Sequence, residues 1–381
     1  MTVDVAGLER RARDLLPPDV YDYYAAGAGR ERTLQASIRA WQRYWLAPRV
    51  LRDVSSVDTS VPLPCQPLPG QPLPGQPLAG QPPMLLRTPV AVAPMGFQGL
   101  AHPDGELATA RGAAEAGALM VLSTRTTRPI EEVAAAVAGA GGAWWFQVYL
   151  MGDRDLSARL VDRAVAAGAR ALVLTGDTPV VGRKMRGNGV TSDTLLHANL
   201  GPVTDAGRTT QAMDVTFADI GWLARRADLP VLVKGVLRPD DARACVAAGA
   251  AGVIVSNHGG RQLDGAVPAA LALPAVASAL AAKGDSSGTG GDTPGTSGEV
   301  FADGGLRTGE DVLTALALGA RAVFLGRPVL WALACGGADG VRDLLTGLTS
   351  DLAHAMALAG TRSIAEVPGV TQPLAGNSLD T

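Results

Sequence analysis

The sequence predicts an α/β fold, a (β/α)8 TIM barrel with an N-terminal helical extension. Three observations carry this expectation. Eight short runs of aliphatic and β-branched residues recur along the chain, small-residue helical segments fall between them, and most runs end in a polar or charged residue. A continuous apolar run of strand length suits a parallel strand buried on both faces. Eight such units with right-handed crossovers close most economically into a barrel. A doubly wound open sheet is the competing arrangement, but no GxGxxG follows the first run.

The elements follow in order. Residues 3–16 and 30–42 read as short helices, and 18–29 (PDVYDYYAAGAG) joins them. Residues 1–85 thus form a helical segment ahead of the barrel, with a proline-rich insertion at 62–83 built on the repeat QPLPG-QPLPG-QPLAG-QPP (66–83). Proline at this density removes backbone donors and blocks helix and central strand, so an extended surface excursion is expected. The repeat reads as a ligand for a proline-recognising partner or as a slipped repeat without a role, and composition alone favours the second.

The barrel is expected over 86–365. Its runs are PVAVAP (89–94), ALMVLS (118–123), WWFQVYL (144–150), ALVLT (171–175), PVLVKG (230–235), GVIVS (252–256), EVFAD (299–303) and AVFLG (322–326). Four helical segments end alike, in AAEAGA (113–118), AVAAGA (164–169), CVAAGA (245–250) and ALALGA (315–320). The glycine supplies a left-handed C-cap, and the small residues let each helix lie close on the sheet. The Gly/Ser/Thr-rich stretch 284–299 reads as a flexible insertion, 338–359 as a closing helix and 366–381 as a C-terminal tail.

Composition narrows the function classes. Hydrophobic residues make up 47% and charged residues 18%, enough for a large core. Aromatics are only 4%, so a core of Ala, Val and Leu is expected. Lys+Arg 33 against Asp+Glu 36 argues against a nucleic-acid binder working through bulk positive charge. Cys65, Cys245 and Cys335 lie far apart with no CxxC, so neither a disulfide framework nor a metal site is indicated. The N-terminus is charged throughout, unlike a signal peptide. The uncharged stretches 133–152 and 265–282 are broken by Gly139, Gly141 and Gly142 and by Pro268 and Pro274, so no membrane span is read and a cytoplasmic protein is expected.

Barrel enzymes place their chemistry at the C-terminal ends of the strands. Those ends are Pro94-Met95-Gly96, Ser123-Thr124-Arg125, Gln147-Val148-Tyr149, Thr175-Gly176-Asp177, Lys234-Gly235, Ser256-Asn257-His258, Asp303-Gly304-Gly305 and Gly326-Arg327. This polarity implies a polar ligand. Asp303-Gly304-Gly305-Leu306-Arg307 and Gly326-Arg327-Pro328 follow the last two strands, where barrels hold phosphate with glycine-exposed N–H groups and a flanking guanidinium. The alternative is a pair of ordinary turns with surface arginines. The sixth end, SNHGGRQLDG (256–265), carries a candidate base, His258, and a candidate carboxylate clamp, Arg261. Asp177 can orient His258. Lys234 needs an electron-rich partner if buried. His102, His197 and His354 lack such company and read as structural or surface residues.

At these residues the chain resembles the FMN-dependent α-hydroxy acid oxidases and dehydrogenases, from about residue 8 to 365. The phrases that carry the resemblance are LPPDVYDYYAAGA, VAP, AHPDGELATARGAAEAG, FQVY, LTGDTP, VLVKGV, VSNHGGRQLDG, DGGLRTGEDVLTALALGA and FLGRP. The resemblance implies a homotetrameric barrel with FMN on its top face. Pro94, Met95 and Gly96, with Ser123, Gln147 and Thr175, would line the isoalloxazine ring. Lys234 would stabilise the charge of the reduced ring, and Ser256 would lie near the ribityl chain. Asp303, Gly305, Arg307, Gly326 and Arg327 would hold ribityl and phosphate. Tyr23 and Tyr149 would hydrogen-bond the substrate, His258 would be the base, Asp177 its partner and Arg261 the carboxylate clamp. The implied reaction turns an (S)-2-hydroxy acid into a 2-oxo acid, with O2 or another acceptor reoxidising the flavin, and O2 yielding H2O2.

The chain departs from that pattern in places. Lys184 stands where a second carboxylate-binding arginine is usual, keeping the charge but losing the fork. Arg125 replaces an aromatic or aliphatic residue, and meets a second acceptor or anion on the substrate, turns to solvent or pairs with an acid. Gly96 replaces an alanine common in oxidases. The loop 186–214 is short, without a long apolar stretch, and gives no support for membrane anchoring. Two further readings stay open: a flavin oxidase of a specialised-metabolite or peptide-derived substrate, and a non-redox phosphate-binding isomerase or lyase. A non-catalytic scaffold using the proline repeat is the third.

Overall fold

A computed structural model describes residues 2–63, 84–190, 197–200, 210–281 and 297–373 of the 381-residue chain. Every one of the eight apolar runs forms a parallel strand: β4 (Val90–Val92), β5 (Met120–Leu122), β6 (Trp144–Val148), β7 (Leu172–Thr175), β8 (Val231–Val236), β9 (Gly252–Val255), β10 (Glu299–Asp303) and β11 (Val323–Leu325). They close into a barrel in the order β10-β11-β4-β5-β6-β7-β8-β9, with Val323 opposite Val90 where the last strand meets the first. The four repeated helix endings behave as their glycines require: Gly117, Gly168, Gly249 and Gly319 have φ of 71°, 88°, 101° and 106°.

Each strand buries both faces, and the two faces differ. Outward residues such as Val90, Val92, Met120, Leu122, Val253 and Val255 join the aliphatic layer under the helices. Inward residues form a separate cluster with Trp145, Phe301 and Phe324 at its centre, their rings 5.7–5.9 Å apart. The expectation of an aliphatic core is therefore corrected in both layers: the outer one is mostly aliphatic but also buries Tyr24, Trp41, Trp144, Phe146 and Trp331, and the interior centres on aromatic rings. Three large rings fill a volume that small residues from eight strands would leave open.

Outside the barrel the structure adds detail. The joining segment at 18–29 contains a helix of its own, Pro18–Ala25, between helices Val5–Leu15 and Arg32–Ala40. Its prolines preset the first turn, and buried Tyr24 and Ala25 anchor it. The closing helix extends further back than expected, over Arg327–Leu358, with a break at Gly336 and Gly337. Residues of the expected tail form β12 (Thr371–Pro373), which pairs antiparallel with β1 (Tyr44–Leu46). The proline-rich insertion is flanked by a second antiparallel pair, β2 (Val61–Leu63) and β3 (Met84–Leu86), whose Val61, Leu63 and Leu86 join the barrel's interior cluster. The QPLPG repeat, Cys65 and nearly all of the 284–299 insertion lie outside the described residues. Among the described residues no helix is long and apolar enough to cross a membrane.

The interior cluster predicts a specific weakness. Trp145→Ala is expected to lower unfolding free energy by ~3–5 kcal/mol, as a large buried side chain is removed from a closed interior that cannot collapse around it. Urea denaturation of both proteins measures the difference.

Candidate active site

Residues from all eight strand ends line one cleft of about 1080 Å³ on the C-terminal face of the barrel. Pro94, Met95, Gly96, Ser123 and Thr175 form part of its wall. Gln147 stands behind that wall and braces it. Its Oε1 accepts from Ser123 Oγ (3.2 Å) and the Thr124 backbone N–H (3.1 Å), and its Nε2 donates to Thr175 Oγ1 (2.9 Å). Gly96 is held close to the next strand end, since a Cβ there would stand 3.2 Å from the carbonyl oxygen of Arg125.

Lys234 finds the partner that its burial demands. Its Nζ lies 2.8 Å from Asp303 Oδ2 and donates to Ser256 Oγ at 2.8 Å. Both side chains of this ion pair are under 9% exposed. Asp303 Oδ1 is buried with no hydrogen-bond partner, an acceptor left for a ligand.

The turn after β9 sets the candidate base. His258, Gly259 and Gly260 have φ of 58°, 65° and 72° in succession. Glycine takes such values readily, while a histidine there costs on the order of 1 kcal/mol. Neighbouring groups fix the strained turn. His258 N–H donates to Ser256 Oγ (3.0 Å), Gly260 N–H donates to Asn257 Oδ1 (3.2 Å), and a Cβ on Gly260 would strike the Leu34 backbone at 2.6 Å. The turn brings His258 Nδ1 within 3.0 Å of Asp177 Oδ1. Burial alone would raise the pKa of Asp177, but the charge and hydrogen bond of His258, with the charge of Lys234, outweigh it and hold the carboxylate low. With Nδ1 engaged, Nε2 is the imidazole nitrogen left for chemistry.

Three more residues of the substrate set gather here. Arg261 Nη1 donates to the carbonyls of Tyr23, Tyr24 and Ala26 at 2.9–3.1 Å, so the guanidinium caps the C-terminus of helix Pro18–Ala25. Tyr23 and Tyr149 line the cleft. Burial raises both phenols, Arg125 and Arg261 acting against that rise, so both hydroxyls stay protonated donors at neutral pH. Lys184 stands just behind the wall, its Nζ 5.2 Å from the Tyr23 ring centre. Desolvation, then the charges of Arg261 and Arg327, pull its pKa down to about 7.

Arg307 and Arg327 line the same cleft. Arg327 donates to the carbonyls of Tyr24, Gly259 and Ala26, and Arg307 to that of Leu306. Desolvation lowers both pKa values, with Arg261 and Arg307 helping to bring Arg327 to about 9. Arg261, Arg307 and Arg327 form no ion pair with a described residue. The long helix starts at Arg327 with no side chain capping it at Gly326; Pro328 carries no N–H, and the N–H groups of Val329 and Leu330 donate to the Gly326 carbonyl (2.9 and 3.4 Å).

Two contributors escaped the sequence reading. Tyr24 lines the cleft and donates its hydroxyl to the Phe97 carbonyl at 2.6 Å. Arg186 clasps Asp22 (2.6 Å) and Glu31 (2.9 Å), tying the loop after β7 to the N-terminal segment that carries Tyr23. Helical spacing within PDVYDYY was the available signal for Tyr24; nothing local pairs Arg186 with acids more than 150 residues away.

Comparison with known proteins identifies the arrangement. Residues 12–372 match the FMN-dependent dehydrogenase family. The chain belongs to that family. It is 42% identical over 377 residues to 4-hydroxymandelate oxidase of Amycolatopsis orientalis, covering 95% of this chain and 96% of that one. It is 40% identical over 377 residues to L-lactate oxidase of a Nostoc species, covering 94% of each. Human 2-hydroxyacid oxidase 1 is 39% identical over 376 residues, covering 93% of this chain and 92% of the relative. The crystal structure of a mandelate oxidase superposes with a TM-score of 0.83 at 40% identity, covering 98% of this chain and 99% of that one.

The cleft of this FMN-dependent dehydrogenase fits its cofactor. A dianionic phosphate suits Arg307 and Arg327, which line the cleft without an acid partner among the described residues. A ribityl hydroxyl suits the unpartnered Asp303 Oδ1. A Cβ on Gly305 would meet the Ser37 carbonyl oxygen at 2.0 Å, so the backbone there admits no side chain. Lys234→Met is expected to lower unfolding free energy by ~3–5 kcal/mol, because it strands the Asp303 carboxylate in a buried site without its cation. Asp303→Asn combined with Lys234→Met should recover part of that loss, which thermal or urea unfolding of the cofactor-free protein measures.

Proposed function

We propose that this chain oxidises an (S)-2-hydroxy acid to the 2-oxo acid in the described cleft, and that O2 is the final acceptor, giving H2O2. The carrying observation is the convergence of His258, held by Asp177 at 3.0 Å, with Arg261, Tyr23 and Tyr149 in a cleft that Arg307 and Arg327 also line. The oxidase names of the relatives support the same reading.

When bound, FMN supplies the two-electron acceptor and the route to O2. The remaining steps belong to the chain's own groups. Arg261, helped by Lys184, holds the substrate carboxylate. The hydroxyls of Tyr23 and Tyr149 donate to substrate oxygens and fix its orientation. His258 Nε2 accepts the proton that the substrate loses, and the ionised Asp177 stabilises the resulting imidazolium through Nδ1. Lys234 keeps positive charge where the acceptor gains electrons. Met95, Gly96, Ser123, Gln147 and Thr175 shape and brace the wall beneath the reacting centre. Assembly as a homotetramer, carried over from the resemblance, and a cytoplasmic location, read from the sparse and unpaired cysteines, complete the proposal.

The direct test is anaerobic reduction of the bound flavin by a panel of 2-hydroxy acids, followed by air and assay of H2O2. A colourless protein that cannot take up FMN would instead favour the non-redox barrel. His258→Asn is expected to keep its flavin spectrum while the rate of flavin reduction falls by about 10²–10⁴-fold. Because Lys184 titrates at about 7, its charge is present below that pH and lost above it. KM for the hydroxy acid should therefore rise about 10-fold between pH 7 and 9, and Lys184→Arg, charged throughout, should flatten the rise.

A further inference from the structure

One cation of the cleft has neither an acid partner among the described residues nor an assigned ligand group. Lys234 faces Asp303 at 2.8 Å, and His258 faces Asp177 at 3.0 Å. Under the proposed reading the FMN phosphate takes Arg307 and Arg327, and the substrate's own carboxylate takes Arg261 and Lys184. Arg125 is left over. It lines the same cleft with its guanidinium carbon 5.8 Å from the Tyr149 ring centre, and forms no ion pair with a described residue.

The main chain of Arg125 is fixed. Its N–H donates to Ser123 Oγ (3.1 Å), and its carbonyl accepts from the Phe97 N–H (3.0 Å). Gly96 packs against it so closely that a Cβ would lie 3.5 Å from the Cβ of Arg125. The side chain is thus rooted beside the cleft wall, and only its guanidinium end can choose a partner. The guanidinium carbon of Arg125 lies 5.8 Å from the Tyr149 ring centre and that of Arg261 5.6 Å from the Tyr23 ring centre, and both tyrosines line the cleft. A substrate held by one is within the field of the other.

We propose that Arg125 is a specificity-determining residue that binds a second carboxylate on the substrate's side chain, making 2-hydroxydicarboxylic acids the preferred class. This rests on the reading of the cleft as a 2-hydroxy acid site. A guanidinium fork binds a carboxylate through two parallel hydrogen bonds. An alkyl group in the same place would desolvate the cation and return nothing. Arg125 therefore acts in both directions, attracting diacids and rejecting alkyl side chains.

The test uses the full-length FMN-loaded protein and anaerobic stopped-flow flavin reduction. (S)-Malate and (S)-2-hydroxyglutarate are compared with the length-matched (S)-2-hydroxybutyrate and (S)-2-hydroxyvalerate. Each diacid should reduce the flavin with a second-order rate constant about 10- to 100-fold above its monoacid partner, the gain expected of a charge-assisted hydrogen-bonded pair. Arg125→Leu should collapse that ratio, and Arg125→Lys should keep part of it. A binding readout runs alongside: perturbation of the flavin spectrum by 2-oxoglutarate against 2-oxovalerate should give the same order of affinities, and salt should weaken the diacid selectively. A native ratio at or below one, or equal losses for both classes in Arg125→Leu, overturns the proposal. Reduction by monoacids alone sinks this inference and leaves the proposed function standing; no reduction by any hydroxy acid sinks both. Should Arg125→Leu fail to fold, the native ratio and its salt dependence decide.

Discussion

A guanidinium taken out of water without an anion is unstable, and this barrel gathers several at one mouth. Arg261, Arg307 and Arg327 are desolvated enough to lower their own pKa values, and their protein partners are backbone carbonyls. Carbonyl dipoles offset part of the burial but leave a net positive field. Desolvation, reinforced by that field, brings Lys184 to about 7, and the same field suits anionic groups such as the phosphate of FMN. Where a carboxylate does sit inside, as at Asp303 and Asp177, it is already committed to Lys234 or His258.

The same cations hold the site together mechanically. Arg261 and Arg327 both donate to carbonyls between Tyr24 and Ala26, so the N-terminal segment is pinned across the barrel mouth by residues that also face ligand. Arg186 adds a second clasp through Asp22 and Glu31. Tyr23 is thereby placed against the barrel by contacts from the loops after β7, β9 and β11. Residues that line the cleft thus also hold the fold, which couples order in the first 31 residues to order in the cleft.

Much of this was legible beforehand because parallel strands buried on both faces leave continuous apolar runs, and glycine C-caps leave a repeated phrase. Reading the residue after each run named cleft-lining residues in chain order, and the SNHGGRQLDG turn named His258 and Arg261, the candidate base and clamp, which line the same cleft. The short helix at Pro18–Ala25 was less legible, since its stability comes from Tyr24 packing on the barrel more than from any local pattern. The aromatic interior was hidden for a related reason: a low aromatic fraction says nothing about whether Trp145, Phe301 and Phe324 meet.

The sequence by itself determined the barrel, the order of its strands along the chain, the glycine-rich anion loops and the residue types available for chemistry. These follow from hydrophobic periodicity and backbone freedom, which are local. Tertiary structure alone decided the pairings: Lys234 with Asp303, Asp177 with His258, Arg186 with Asp22 and Glu31, and Arg125 with no acid among the described residues. Charge neutralisation depends on distances between residues tens to hundreds of positions apart, and those distances exist only once the barrel has closed.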